Sequence, residues 1–291
     1  MAWVAKIDLE CRVQLTVDRS PTLRRRELAS RLRDLRRQAG LTVDEVAAQL
    51  MCSPPKISRI ETGARAASLR DVRDLCALYE VEEPQREHLM TLAREAKQQG
   101  WWQRFDDLAI DSLIGLETEA SKISTYQTVV PWAFQTKDYA HAVIRGALPR
   151  IANGVLEERV AARLIRQELL TKEDPPRLWA LIDESALHRQ VGGSAVMREQ
   201  LKRVVELTDL PNIVVQVVPY EAGAHPGLDS NFTLLEFDDP LQRPIVYTES
   251  MAGSFYLERP VDIDRHKEAL EYLRACALSP ASSIELIGKI N

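Results

Sequence analysis

The sequence is short of the features that mark several large protein classes. Its four cysteines lie far apart and show no CxxC spacing, so neither a disulfide framework nor a zinc site is indicated and a reduced, cytoplasmic protein is expected. No run of about 18 apolar residues is present, so no membrane span is expected. Residues 1–17 mix apolar with acidic and polar residues, which makes a poor signal peptide and favours a short strand or an ordered arm.

The net charge is modest but unevenly distributed. The 291 residues have a formal charge of −5, yet residues 24–73 contain 12 Lys and Arg against 6 Asp and Glu, a local balance of +6. The remaining residues therefore carry −11. A basic segment on an acidic body indicates a polyanionic partner for that segment, although a solvated helix face has the same composition.

Helix-start signals recur within this basic segment. The Ser20-Pro21 pair and the capping-box patterns Thr42–Glu45 and Ser68–Asp71 each precede apolar residues at helical spacing. A further helix is expected after Pro84. With the helix described next, these signals predict a compact set of five helices.

The stretch SPPKISRIETG, residues 53–63, predicts a short helix with a stiff first turn. Ser53 is a suitable N-cap, and two prolines follow it at positions whose N–H groups have no partner within a helix. Ile57 and Ile60 are three residues apart and face inward, and Gly63 ends the helix.

Two short capped helices joined by a three-residue turn predict a helix-turn-helix. Its second helix enters the major groove with its N-terminal residues leading, where cationic side chains reach guanine or phosphate acceptors. One such helix reads few base pairs, so a homodimer on a double-stranded DNA operator is expected. The candidate DNA-binding residues are Thr42, Ser53, Pro55, Lys56, Ser58, Arg59 and, placed for phosphate, Arg65.

Residues 24–82, and KISRIETG above all, resemble the Cro-like, xenobiotic-response-element (XRE) helix-turn-helix family. Two positions depart from the family pattern. Met51 stands where the family usually has Gly, which is unfavourable if φ is positive there. Val43 stands where the family often has Gln, and valine cannot hydrogen-bond phosphate.

The second half of the chain changes from helical to strand patterns. Residues 83–125 are predicted to be helical, and a Trp pair in GWWQRF (100–105) interrupts them. Further helices are expected from Asp138 and over 154–172, where glutamates interleave with Arg159, Arg163 and Arg166 in a solvated ion-pair face. Five strands are then predicted, at 177–183, 212–219, 232–238, 244–249 and 254–258.

The connections between these strands indicate their pairing. A helix over 194–208 lies between the first two strands and permits a parallel βαβ step. The last three strands are close in sequence and predict an antiparallel meander. Two closing helices are predicted at 260–277 and 280–290.

This half resembles the C-terminal domain of actinobacterial XRE-type, antitoxin-like transcriptional regulators. Segments such as ERVAARLIRQELL, NIVVQVVPYEAGAHPG and LSPASSIELI carry the resemblance, which covers residues 115–290. It implies a DNA-binding regulator encoded beside a small partner protein. The chain reads PWAFQT where the family tends to have Pro-Gly-Leu-Leu-Gln-Thr, so Trp132 fills space at that loop.

No pattern in the sequence indicates catalysis. Glu184 and His188 have i, i+4 spacing, which is more typical of an ion pair than of a metal site, and no GxSxG or HExxH pattern is present. No enzyme, metal or cofactor is therefore expected. The candidate ligand- or partner-binding residues are Trp132, Gln135, His225 and Glu249.

These patterns predict two domains: an arm at 1–20, an all-α five-helix helix-turn-helix domain at 21–98, a helical linker at 99–124, and an α+β domain at 125–291 with a mixed sheet of about five strands. The predicted function is a sequence-specific DNA-binding transcriptional regulator whose C-terminal domain binds a small partner protein. The alternative is a small-molecule-sensing transcription factor with a pocket between the sheet and residues 125–150.

Overall fold

The computed structural model describes residues 21–97, 111–239, 242–251 and 253–290. They divide into two compact units, one formed by the described residues up to 97 and the other by those from 111 onward. The predicted arm at 1–20 and the GWWQRF stretch lie outside the described residues. Within the described ranges, no helix combines the length and apolar character that crossing a bilayer requires.

The N-terminal unit consists of five helices, as predicted. They are α1 (Pro21–Gln38), α2 (Val43–Gln49), α3 (Pro54–Glu61), α4 (Leu69–Leu78) and α5 (Glu83–Glu95). Apolar side chains from every helix fill one core, whose most buried members include Leu32, Val46, Ile57, Ile60, Val72, Leu75 and Leu89. The inward positions predicted for Ile57 and Ile60 are confirmed.

Both predicted capping boxes are present. The Glu45 N–H donates to the Thr42 hydroxyl at 3.2 Å, and the Glu45 carboxylate accepts from the Thr42 N–H at 2.7 Å. Ser68 and Asp71 make the same reciprocal pair at the start of α4, at 3.1 and 2.9 Å. Each box satisfies N–H groups that a helix start leaves without partners, which fixes where α2 and α4 begin.

The C-terminal unit is built on a mixed six-stranded sheet. Its strands are β1 (Lys122–Gln127), β2 (Arg177–Asp183), β3 (Ile213–Val218), β4 (Phe232–Glu236), β5 (Ile245–Ser250) and β6 (Gly253–Leu257), in the spatial order β3-β2-β1-β4-β5-β6. The first three are parallel, and β1, β4, β5 and β6 pair antiparallel. The five predicted strands, the parallel step and the meander are confirmed.

The prediction of helix as far as residue 125 is wrong, because β1 begins at Lys122. This strand lies between β2 and β4 and pairs with both over most of its length. Its partners are distant in sequence, so no local pattern reports the pairing that stabilises it. Helix does precede it, as α6 (Asp111–Glu119).

The remaining helices surround the sheet. They are α7 (Lys137–Ala147), α8 (Asn153–Arg166), α9 (Ser185–His188), α10 (Ser194–Leu207), α11 (Pro260–Cys276) and α12 (Pro280–Ile290). Short 3₁₀ turns occur at Trp132–Phe134, Gln167–Thr171, Tyr220–Ala222 and Pro226–Leu228. Helix α11 covers one sheet face, where Ile263, Leu270 and Leu273 pack against a cluster that includes Tyr126 and Val246.

The solvated ion-pair face predicted for α8 is wrong at Arg166. This residue is 4% exposed, and its guanidinium makes two 2.5 Å hydrogen bonds to the Glu117 carboxylate of α6. The same guanidinium lies 3.8 Å from the centre of the Trp132 ring. Arg166 faces inward because its counterion comes from another helix, 49 residues earlier in the chain, and not from the glutamates of its own helix.

Glu117→Gln should lower the free energy of unfolding by about 3 kcal/mol, because it leaves the buried Arg166 charge without a counterion. Urea denaturation of the full chain, followed by circular dichroism, measures this change. The matched control is Glu285→Gln, which removes the exposed pair between Glu285 and Lys289 and should leave stability nearly unchanged. Equal losses in the two variants would contradict a special role for the buried pair.

Candidate nucleic-acid interface

The turn that aims α3 contains a residue with positive φ. Met51 has φ of 48° and its side chain is 93% exposed. The Met51 and Cys52 N–H groups donate back to the Ala48 and Ala47 carbonyls at 3.2 and 2.9 Å, which ends α2 and turns the chain. Because φ is positive here, methionine is unfavourable at this position, where glycine would not be. A side chain at positive φ costs roughly 1–2 kcal/mol.

The first turn of α3 is made of Ser53, two prolines and Lys56. Ser53 is the N-cap, as predicted, but its hydroxyl makes no capping hydrogen bond. Pro54 and Pro55 have no N–H to offer, and the Lys56 N–H donates to the Ser53 carbonyl at 2.9 Å. The exposed Ser53 hydroxyl therefore remains available to an external partner.

A partly buried ion pair fixes the other end of α3. The Arg36 guanidinium of α1 donates to both Glu61 oxygens, at 2.7 and 2.9 Å. The third nitrogen of the same guanidinium donates to the carbonyl of Leu41, just before α2, at 2.7 Å. The Glu61 side chain is 5% exposed, and this pair joins α1, the approach to α2 and α3. No local sequence pattern predicts this pair, because its two residues lie 25 positions apart in the chain.

Lys56 has a partner inside the protein. Its ammonium donates to Asp71 at 2.5 Å, and Asp71 also accepts from the Ser68 N–H and hydroxyl. Burial alone would raise the pKa of Asp71, but the hydrogen bonds from Lys56 and Ser68 outweigh it and lower the pKa. The carboxylate is therefore ionised at neutral pH, and Lys56 connects the start of α3 to the cap of α4.

Arg59 and Arg65 differ from Lys56 in this respect. Both are exposed, and neither has an ion pair or a side-chain hydrogen bond among the described residues. The Arg65 N–H donates to the Arg59 carbonyl at 2.9 Å, so the segment after α3 folds back onto the helix that carries Arg59. Pro55 and Ser58 are exposed on the same helix. The arrangement can present two uncommitted guanidinium groups to an anionic surface.

The two predicted features of the α2 start have different environments. The Thr42 hydroxyl is exposed but donates to the Glu45 carboxylate at 2.8 Å. Phosphate can only accept a hydrogen bond, so the hydroxyl could contact it only by giving up this bond to Glu45. Val43 packs against the apolar core of the unit. Its side chain therefore contributes to stability, and it has no polar atom with which to hydrogen-bond phosphate.

The four candidate ligand- or partner-binding residues fall into two groups. Trp132 stacks on Arg166, and Gln135 accepts a 2.7 Å hydrogen bond from Arg163. Glu249 lies close enough to raise the pKa of Arg163. These three candidates therefore surround the arginines of α8.

His225 belongs elsewhere. Its ring meets the Tyr126 ring edge-on, at 5.7 Å between centres, and its Nε2 is 3.8 Å from the Asp183 carboxylate. Tyr126 packs in the cluster on the α11 face of the sheet, whereas residues of β5 with the parity of Glu249 point to the opposite face. His225 therefore lies apart from the three candidates near the arginines of α8.

The Glu184 carboxylate lies 3.3 Å from the Nε2 atom of His188, a contact of the kind that their spacing predicted. Among the residues that the structure describes, no group of three or more His, Cys, Asp and Glu side chains could hold a metal ion.

Comparison with known families assigns both units. The family model described as "Helix-turn-helix domain" matches residues 27–89, which include all five helices of the N-terminal unit in whole or in part. The family model described as "Domain of unknown function (DUF5753)" matches residues 110–289. No curated protein and no solved structure matches the chain.

Met51→Gly should raise the free energy of unfolding of the N-terminal unit by about 1 kcal/mol, because glycine adopts positive φ without a clash. Thermal and urea unfolding of the full chain measure it. The matched control is Ala48→Gly, an exposed position inside α2, which should lose about 1 kcal/mol. If the two glycines had the same effect, backbone strain at Met51 would be disproved.

Proposed function

The chain belongs to the family of the Domain of unknown function (DUF5753) and carries a helix-turn-helix domain before it; from this premise we propose that it is a sequence-specific transcriptional regulator that binds its operator as a homodimer. A helix-turn-helix domain supports a DNA-binding regulator.

The observation that carries the proposal is the pair of uncommitted guanidinium groups beside a rigid helix start. Arg59 reads base edges, since arginine donates two parallel hydrogen bonds to guanine. Arg65 binds phosphate and positions the helix in the groove. Ser53, Ser58 and Pro55 line the leading edge, where hydroxyl groups and the helix N-terminus favour an anionic backbone.

Lys56 takes a second role in this proposal. Its ammonium lies on Asp71 in the free protein, and it reaches DNA only by exchanging this carboxylate for a phosphate or a base acceptor. The pair is partly buried, with side chains 29% and 17% accessible, so Lys56 gives up a charge-assisted hydrogen bond when it turns to DNA. Thr42 contributes mainly by fixing α2, which crosses the DNA backbone in this class of domain.

A homodimer follows from the size of α3. The helix has eight residues, and a single short recognition helix specifies only a few base pairs. Two copies on half-sites one helical turn apart supply the rest, which predicts a two-fold symmetric operator. The acidic remainder of the chain repels DNA, which favours placing the basic helix-turn-helix unit alone on the duplex.

Arg59→Ala should weaken operator binding by about 1–3 kcal/mol, because it removes a base contact. The operator is first obtained by selecting genomic fragments with the purified full chain, and affinity is then measured by fluorescence anisotropy. Arg86→Ala is the matched control: it removes an exposed arginine of α5, outside the helix-turn-helix pair, and should bind as the unchanged protein does. Unchanged operator affinity in the Lys56→Ala/Arg59→Ala double variant would contradict the assignment of α3 as the helix that reads DNA.

The C-terminal unit, we further propose, binds a small protein encoded nearby, with DNA binding autoregulating the pair in an antitoxin-like manner. The resemblance of residues 115–290 to such regulators supports this role. An acidic unit of six strands and seven helices among the described residues is also far larger than DNA binding by the first unit requires.

Co-expression of the full chain with the adjacent small protein should yield a complex of fixed stoichiometry on size-exclusion chromatography. Arg59→Ala should retain the complex while losing operator affinity, because the two functions use different units. A small protein that elutes separately at micromolar concentration would contradict partner binding and leave the DNA-binding proposal intact.

A small-molecule sensor is the second candidate function, and one observation favours it. Trp132, Gln135 and Glu249 surround polar side chains in the interior of the C-terminal unit, where a partner-binding domain needs only an apolar core.

A further inference from the structure

A row of hydroxyl-bearing side chains crosses the sheet on the face opposite α11. Thr125, Thr233, Tyr247 and Tyr256 are direct neighbours in register on β1, β4, β5 and β6. The two threonine hydroxyls are 2.9 Å apart, and the two tyrosine rings are 5.3 Å apart. The outer face of an antiparallel sheet is often polar because water covers it, yet Thr125, Thr233 and Tyr247 are buried.

A second set of polar groups continues this row toward the surface. The Tyr247 hydroxyl donates to Glu249 at 3.2 Å and lies 3.1 Å from the Ser254 hydroxyl. Glu249 and Ser254 are themselves paired in register, one step further along β5 and β6. The row therefore runs from buried threonines to the exposed Glu249, so its polar groups extend to the surface.

Arg163 of α8 lies near enough to Glu249 for this carboxylate to raise the pKa of the guanidinium, and its own set of partners is incomplete. It donates to the neutral amide oxygen of Gln135 at 2.7 Å, and Gln135 is fixed in turn by its own bond to the Val130 carbonyl at 2.7 Å. Among the described residues, no carboxylate lies within ion-pair distance of Arg163. Arg166, one helical turn later, differs because Glu117 neutralises it.

The charge of Arg163 is costly where it stands. Burial, and after it the neighbouring Arg166, lower the pKa of Arg163 to about 10, although Glu249 acts in the opposite direction. The guanidinium is still charged at neutral pH, because this value lies well above 7. A half-buried cation that has a neutral partner and a cationic neighbour is poorly compensated by the protein alone.

We propose that Arg163 anchors a binding site for a small anionic molecule, whose carboxylate or phosphate group pairs with the guanidinium. An arginine has five N–H donors in a planar fork, and Gln135 occupies one of those of Arg163. The remaining donors can bind an oxyanion through two parallel hydrogen bonds. Tyr247, Ser254 and Trp132 then supply hydroxyl and ring contacts to the rest of the ligand.

This site is distinct from the proposed DNA interface and does not depend on it. Arg163 belongs to the C-terminal unit, and its half-buried position suits a small ligand better than a polynucleotide. The proposal deepens the sensor candidate by naming the ligand's chemical class, and it can hold whether or not the chain regulates transcription.

The test is calorimetric melting of the full chain at pH 7 in chloride, inorganic phosphate or acetate at one ionic strength. We expect phosphate, acetate or both to raise the Tm by about 2–4 °C, because a ligand that binds only the folded state stabilises it. A response to phosphate alone assigns a phosphate group, and a response to acetate alone assigns a carboxylate.

Arg163→Gln should abolish this response. The variant should also melt no lower than the unchanged protein in chloride, since it removes an uncompensated charge; a purely structural arginine would give a clear loss of Tm there. The matched control, Arg198→Gln, removes an exposed arginine of α10 and should keep the full response. This control also accounts for the general stabilisation that phosphate gives through exclusion from protein surfaces.

Two results overturn the proposal: a Tm of the unchanged protein that is the same in all three salts, or an Arg163→Gln variant that responds as strongly as Arg198→Gln. If Arg163→Gln does not fold, Arg163→Lys replaces it. Lysine keeps the charge but lacks the planar fork, so titration calorimetry should find phosphate or acetate bound at least about fivefold more weakly; unchanged affinity again overturns the site. Operator affinity, measured without these anions, should be the same for Arg163→Gln and the unchanged protein.

Discussion

The helix proposed to read DNA depends on a partly buried ion pair that lies at its far end. Helix α3 has only eight residues, too few to be stable alone in water, so its orientation comes from its neighbours. Ile57 and Ile60 attach its inner face to the core, and Arg36 grips Glu61 from α1. Because Arg36 also holds the Leu41 carbonyl, one guanidinium sets the spacing between the two helices of the motif and leaves the exposed face of α3 free for other contacts.

Both units contain arginines that are wholly or partly buried, and these arginines have different partners. Arg36 and Arg166 each meet a carboxylate through two hydrogen bonds and join elements that are distant in sequence. In the interior such a pair contributes mainly by being costly to break. Arg163 lies on the same helix as Arg166, but its hydrogen-bond partner is the amide oxygen of Gln135 and not a carboxylate. The contrast within one turn of α8 separates an arginine that holds the fold together from one that has capacity for a ligand.

The sequence predicted what depends on neighbours along the chain and missed what depends on neighbours in space. The capping boxes at Thr42 and Ser68 and the periodicity of the strands are local, and the structure confirms them. Strand β1, whose partners in β2 and β4 lie 55 and about 110 residues later, was read as helix. The same limit applies to the site: the exposure of Arg59 follows from helix spacing, whereas the bond from Lys56 to Asp71, 15 residues on, could not be foreseen.

The prolines at the start of α3 have a consequence that lies in the unfolded chain. Pro54 and Pro55 hold φ near the helical value before any helix exists, so the denatured protein has fewer conformations to lose at this point. Part of the stability of α3 is therefore absent from any inventory of its contacts. The same stiffness matters when the helix binds DNA. A segment that is already ordered loses little conformational entropy on binding, so more of the contact energy remains to discriminate between DNA sequences.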